Sequence, residues 1–274
     1  MTAYELMIKT NRYLITGGEL TEAQKANIAE QFLAARSDER TKQSFYNGVK
    51  YPGNADKNGT GHMYPIFFIP PYNDNKKYQT VIPMSPKTHI LSANSYELEI
   101  IRLLYMFAPG NSDVKDMVQK TLARLKTTCY GYNDCSVGEC FHAALIVLRF
   151  LAAAAPNDAE WINKLLAFFK RHMDEKLALR SKGLHGNVLW YYWLCLSELP
   201  FELAEPEIQR YKERIIGQLS RSCVMNSEND KINHPVMICA IRNALAHLPE
   251  YEYIKDRKPY VGEKDGRLHF DMAY

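Results

Sequence analysis

Apolar positions recur mostly with a helical period along this chain, and prolines punctuate them at near-regular intervals. The stretch 95–108 stops at Pro109, 136–155 at Pro156, 187–199 at Pro200 and 235–248 at Pro249. Proline has no N–H and cannot continue the hydrogen-bond ladder, so each marks a helix end. The four prolines are 47, 44 and 49 residues apart. Second helices are predicted at 112–128, 158–180 and 206–224, with Ser112, Asp158 and Glu205-Pro206 as their starts. The unit is a helix pair of about 47 residues, within the span of helical repeat families.

The two helices of a pair differ in character. First helices are almost wholly apolar, as at 141–148 and 188–196, whereas second helices are amphipathic, as at 208–216. A helix apolar on all sides is buried, and an amphipathic one faces water. One pair cannot bury its apolar face alone, so neighbours must stack. The expected fold is mainly α, built from repeated antiparallel helix pairs that close into an α/α toroid. An open helical solenoid is the alternative. The repeats occupy 95–250 of a single helical-repeat domain covering 1–274.

Three helices are predicted in 1–50. The first, 4–16, ends at Gly17-Gly18. The second runs from Thr21, which with Gln24 forms a capping-box pattern, to about 36. The third runs from Asp38 to about 48. The helical pattern then breaks over 51–94, which holds Pro52, Pro65, Pro70, Pro71, Pro83 and Pro86. Two apolar runs, 63–69 and 78–83, flank a polar stretch at 72–77. This predicts a short β-ribbon or extended flap, a kind of segment that often serves as a lid. The tail, 251–274, places Glu263-Lys264-Asp265-Gly266 between aromatic positions, which is hairpin chemistry.

Composition narrows the function classes. Hydrophobic residues make up 46% and charged residues 24% of the chain, as in globular proteins. Thirty-four basic residues stand against 31 acidic ones, without a basic stripe, which argues against a nucleic-acid partner. The longest apolar run, 143–155, is interrupted by Arg149 and is shorter than the roughly 20 residues a membrane span needs. The first residues show no positive segment followed by an apolar core, so a cytoplasmic location is expected. The six cysteines are then reduced thiols. No Cys-x-x-Cys pair is present. Gly17-Gly18 and Gly59-Thr60-Gly61 lack the lysine and strand of a phosphate-binding loop, so no nucleotide cofactor is expected.

The candidate chemistry lies in the polar stretches ahead of the first helices, 129–142, 183–187 and 229–234. In stacked repeats these are expected to meet at one rim, and a cavity with convergent polar groups is the default binding site. Cys140 is predicted in the first turn of its helix, where the macrodipole favours a thiolate. A nucleophilic cysteine needs a base, supplied by His185 or His234 from neighbouring repeats, or by His142 nearby in the chain. Glu139 or Asp134 would orient the imidazole or donate a proton. Tyr130, Tyr132 and Asn187 would bind substrate, His62 would close over it from the flap, and Trp190 would stack on it. Four consecutive aromatics cannot all face one cavity, so Tyr191, Tyr192 and Trp193 are assigned mostly to the core. The competing reading of Cys140 is a small buried hydrophobe at a helix start.

Zinc is a second reading, with Cys129, Cys135 and Cys140 joined by His142, His185 or His234. The cysteine spacings of six and five residues fit no tight zinc signature, so no cofactor is the primary expectation. Cys129-Tyr130-Gly131 with His185-Gly186 is similar to the Cys-Tyr-Gly and Cys-His-Gly signatures of lanthipeptide cyclases, and this resemblance implies a zinc-binding α/α toroid. Leu184 stands where that family has its second cysteine ligand. Gly138-Glu139-Cys140-Phe141 resembles the nucleophile helix of transglutaminase and papain-like folds. Those folds continue into strands where this chain continues into helices. The expected function is an enzyme acting on a small organic or peptide-like substrate through Cys/His/Tyr chemistry, as a hydrolase, transferase or lyase/isomerase. The alternative is a helical-repeat module that binds a protein or peptide without catalysis.

Overall fold

The structure, a computed structural model, describes residues 1–36, 79–86, 89–132, 140–178, 186–219, 223–224, 228–255, 260–264 and 267–271. It is mainly helical. The helices are α1 (Ala3–Ile15), α2 (Glu22–Ala34), α3 (His89–Phe107), α4 (Ser112–Leu125), α5 (Phe141–Ala154), α6 (Ala159–Ala178), α7 (Gly186–Glu198), α8 (Phe201–Leu219) and α9 (Glu228–Leu245). A 3-10 helix follows at Pro249–Ile254. Strand β1 (Cys223–Val224) pairs antiparallel with β3 (Arg267–Asp271), which pairs antiparallel with β2 (Tyr260–Lys264). In the β2–β3 ladder Lys264 faces Arg267, a hairpin pairing as the tail's chemistry predicts, while Asp265 and Gly266 lie outside the described residues. No helix among the described residues is long and apolar enough to cross a membrane.

The chain divides into two compact units. One contains Met1–Lys9, Leu20–Thr80 and Ser85–Phe169; the other contains Thr10–Glu19, Val81–Met84 and Lys170–Tyr274. In the first unit, α3 packs against α2, α4 and α5. Ten consecutive or near-consecutive residues of α5 are buried, as its all-round apolarity predicts. In the second unit, α7 packs against α8 and α9.

Local signals set several helix ends as expected. Gly17 adopts φ 82°, and the Gly17 and Gly18 N–H groups donate back to the Leu14 and Tyr13 carbonyls at 3.1 and 2.8 Å. This doubly bonded stop needs a left-handed residue at Gly17. Thr21 and Gln24 form both bonds of the capping box. Asp158 caps α6 by accepting the Trp161 N–H at 3.2 Å.

Other boundaries are corrected. Helix α3 begins at His89, within the stretch assigned to the flap. Asn111, one residue before Ser112, caps α4 by accepting from the Asp113 and Val114 N–H groups. Helix α5 begins at Phe141, which puts Cys140 at the N-cap rather than inside the first turn. Pro206 and Pro235 lie inside α8 and α9 instead of starting them. A proline removes one rung of the ladder, but buried residues such as Val236, Ile238 and Ile241 of α9 carry the helix onward where it packs on α7. The predicted loop 229–234 is therefore helical. Within the flap, residues 79–86 form a bend flanked by irregular backbone, and Thr80, Val81, Ile82 and Met84 are buried. The remaining flap residues 51–78 and the helix expected from Asp38 lie outside the described residues.

Candidate functional site

The site is built on a turn between α4 and α5. The Thr128 hydroxyl donates to the Leu125 carbonyl at 2.8 Å and accepts the Gly131 N–H at 2.9 Å. The Tyr132 N–H closes onto the Thr128 carbonyl at 3.2 Å. From α6, the buried Trp161 indole N–H donates to the Gly131 carbonyl at 2.6 Å. A side chain at Gly131 has no room, because a Cβ there would sit 2.3 Å from the Leu125 carbonyl oxygen. Four hydrogen bonds and one close approach thus hold the turn that carries Cys129, Tyr130 and Tyr132.

This turn brings two sulfurs together. Cys129 Sγ and Cys140 Sγ lie 3.3 Å apart, and neither is in a disulfide. Cys129 is exposed, while Cys140 is 7% exposed. Cys140 occupies the N-cap of α5, and its side chain makes no capping hydrogen bond to the helix.

A narrow cleft of about 10 Å³, room for little more than a water molecule, lies between Cys129, Tyr130 and Tyr132 of the turn, Ala144 of α5, and Lys164, Leu165 and Phe168 of α6. Tyr130 is 1% exposed, and its hydroxyl has no hydrogen-bond partner among the described residues. Burial drives its phenol far above the usual value; nearby Arg124 opposes this, while Glu97, Cys129 and Cys140 add to it. Tyr130 therefore keeps its proton at neutral pH, as a buried donor that an acceptor reaches only if the wall of the cleft opens. Tyr132 packs edge-on to Trp161, and Lys164 Nζ stands 3.8 Å from the centre of the Tyr132 ring. Exposed Cys129 and Lys164 thus line the cleft, with the Cys140 thiol 3.3 Å from Cys129.

Other expected site residues go elsewhere. His142 Nδ1 lies 2.8 Å from the Ser85 carbonyl. A carbonyl only accepts, so that nitrogen carries the proton and the histidine anchors the buried 79–86 segment. Asn187 does the same in the second unit, donating from Nδ2 to the Pro83 carbonyl at 2.9 Å. His234 lies in α9, in the second unit, whereas Cys140 belongs to the first. Trp190 is half-buried and packs edge-on to Trp193, while Tyr191, Tyr192 and Trp193 are buried. Asp134, Cys135, Glu139, His185 and His62 lie outside the described residues. Among the described residues, no three His, Cys, Asp or Glu side chains converge as metal ligands.

Two buried polar clusters were not anticipated from the sequence. In the first unit, Arg149 of α5 donates to both oxygens of Glu99 on α3 at 3.0 and 3.1 Å. Glu99 also meets Arg102 at 3.4 Å, and Glu97 accepts from Arg124 at 3.0 Å. In the second unit, the Tyr192 hydroxyl donates to Glu207 at 3.0 Å. The available signal was Arg149 itself, since a charge inside an otherwise apolar helix requires a buried partner. No family model, curated protein or solved structure matches the chain.

Proposed function

We propose that this protein is an enzyme performing thiol chemistry on a small organic or peptide-like substrate that docks over the narrow cleft beside exposed Cys129. The observation that carries the reading is the 3.3 Å approach of Cys129 and Cys140 beside the buried Tyr130 hydroxyl, unpartnered among the described residues. Cys129 takes the nucleophile's role that the sequence had given to Cys140, because Cys129 is the exposed member of the pair. Once the wall of the cleft opens, the Tyr130 hydroxyl offers a hydrogen bond to a substrate oxygen, and Lys164 attracts negative charge to the opening. Acyl transfer or hydrolysis suits this set, with the thiol adding to a carbonyl carbon and the phenol bonding its oxygen.

The proposal keeps the helix-pair repeat, with closure into an α/α toroid. Its support is that first helices of successive pairs pack together inside each unit, α3 on α5 and α7 on α9. Their mates α4 and α8 pack beside them.

Incubation with activated esters and thioesters, followed by intact and peptide mass measurement, tests the reading. Cys129 is expected to acylate ahead of Cys195 and Cys239, Cys129→Ala to abolish the adduct, and Tyr130→Phe to slow its formation. Equal labelling of all three cysteines, or full turnover by Cys129→Ala once a substrate is found, would overturn it.

A further inference from the structure

We propose that Cys129 and Cys140 form a thiol–disulfide exchange pair whose co-substrate is a small, negatively charged disulfide of the glutathione type. The inference rests on the cleft reading above for where the reagent lands, while the exchange itself needs only the two sulfurs. A disulfide bond is about 2.05 Å long, so the observed 3.3 Å approach leaves a small closing movement. The two thiols differ in access in the way the reaction requires. Cys129 is exposed and meets the reagent first; Cys140 is buried, with its sulfur 3.3 Å from that of Cys129. The Thr128–Tyr132 turn is held by Thr128 and by the Trp161 indole, which keeps Cys129 at the α5 N-cap. Lys164, which lines the cleft beside Cys129, offers a cation to the reagent's carboxylates.

The chemistry balances as a two-electron exchange. The Cys129 thiolate attacks one sulfur of the reagent, forms a mixed disulfide and releases one reagent thiol. The Cys140 thiol then loses its proton to solvent, attacks Cys129 Sγ and expels the second reagent thiol. The protein pair is oxidised to a disulfide, and the reagent disulfide is reduced to two thiols.

Tryptic cleavage leaves Cys129, Cys135 and Cys140 on one peptide, 127–149, and cleavage after Asp134 and Glu139 separates all three. The full-length protein is therefore titrated with glutathione disulfide, quenched by alkylation and mapped with both cleavages. Expected are loss of two hydrogens and a covalent link between the Cys129 and Cys140 fragments, with Cys195 and Cys239 still alkylated. In Cys140→Ser, and in Cys140→Ala as a check on folding, the glutathione adduct on Cys129 should persist at least about tenfold longer than in the wild type. A stable adduct on wild-type Cys129 with Cys140 still alkylated, or a link from Cys129 to Cys135, would overturn the exchange pair and leave the enzyme reading standing. No modification of Cys129 by either glutathione disulfide or activated esters would overturn both.

Discussion

Arg149 Nη1 donates to both carboxylate oxygens of Glu99, and each side chain is only 1% exposed. The pair joins α5 to α3 and explains how a charge survives in a helix buried along most of its length. Removing Arg149 leaves buried Glu99 its longer 3.4 Å contact with Arg102, so the cost is at or below the roughly 3 kcal/mol of breaking a buried pair outright. Arg149→Met should lower the unfolding free energy by up to that amount in urea titration. A double-mutant cycle with Glu99→Gln should show coupling of more than about 0.5 kcal/mol. Simple additivity would mean that the two groups do not sense each other.

Gly131 is set by space, with no positive φ required of it. In Gly131→Ala the new methyl group meets the Leu125 carbonyl oxygen at 2.3 Å and the Thr128 hydroxyl at 2.4 Å, so the turn must move. The expected loss is about 1–3 kcal/mol of stability, together with slower disulfide formation between Cys129 and Cys140. Thermal melts and the mapping described above read both. An unchanged rate would show that the turn does not position Cys129.

The buried thiols provide a contrast in reactivity. Burial pushes the Cys239 thiol up to about 11, with Arg242 pulling the other way. At about pH 8 only roughly one part in a thousand of Cys239 is thiolate, the form that reacts. Site-resolved alkylation at that pH should therefore label exposed Cys129 well before Cys239. The Cys239 rate should climb as the pH is raised toward its pKa. Comparable labelling of the two at about pH 8 would contradict the burial of Cys239.

Burial also raises the Glu207 carboxyl above its usual value of 4.5, although the Tyr192 hydrogen bond and nearby Lys170 pull it down. Below that usual value both folded and unfolded chains hold the proton, and the folded state bears no charge penalty. As pH rises, the unfolded chain ionises first, so the Glu207 contribution falls through its folded pKa. Glu207→Gln retains an acceptor for Tyr192 and cannot ionise. Its stability relative to wild type should therefore improve between about pH 4 and about pH 7. A difference that stays flat across that range in urea titrations would remove Glu207 as the cause.

Gly17 gives a test of local conformation alone. Its φ is 82°, and an added Cβ would meet nothing within 4 Å. Gly17→Ala should then cost about 1 kcal/mol purely through the left-handed backbone. A loss several times larger would point to packing that the glycine does not show.

The sequence made local structure legible where one or two residues decide it. Thr21 with Gln24, Gly17 with Gly18, and Asp158 each act over three or four positions, and each helix end formed as those residues dictate. Proline misled where packing outweighed a single missing rung. Pro235 was taken as a helix start, yet α9 runs through it because the apolar residues beyond it are buried against α7. With 229–234 helical, the loop expected ahead of α9 is a helical turn instead, while 133–139 and 183–185 of the other two loops lie outside the described residues. His142 and Asn187 illustrate the same limit, since their hydrogen bonds go to carbonyls 57 and 104 residues away in the chain.

The chain's period of apolar positions, by itself, determined a mainly helical protein with α5 and α7 in its interior, because a helix without a polar face must be covered. Which polar groups meet was decided only in three dimensions. The approach of Cys129 to Cys140 depends on a turn held by an indole some 30 residues further on. The Arg149–Glu99 pair depends on two helices 50 residues apart coming into contact. Periodicity governs which side of one helix is apolar, whereas distances between side chains on different helices follow from how those helices pack.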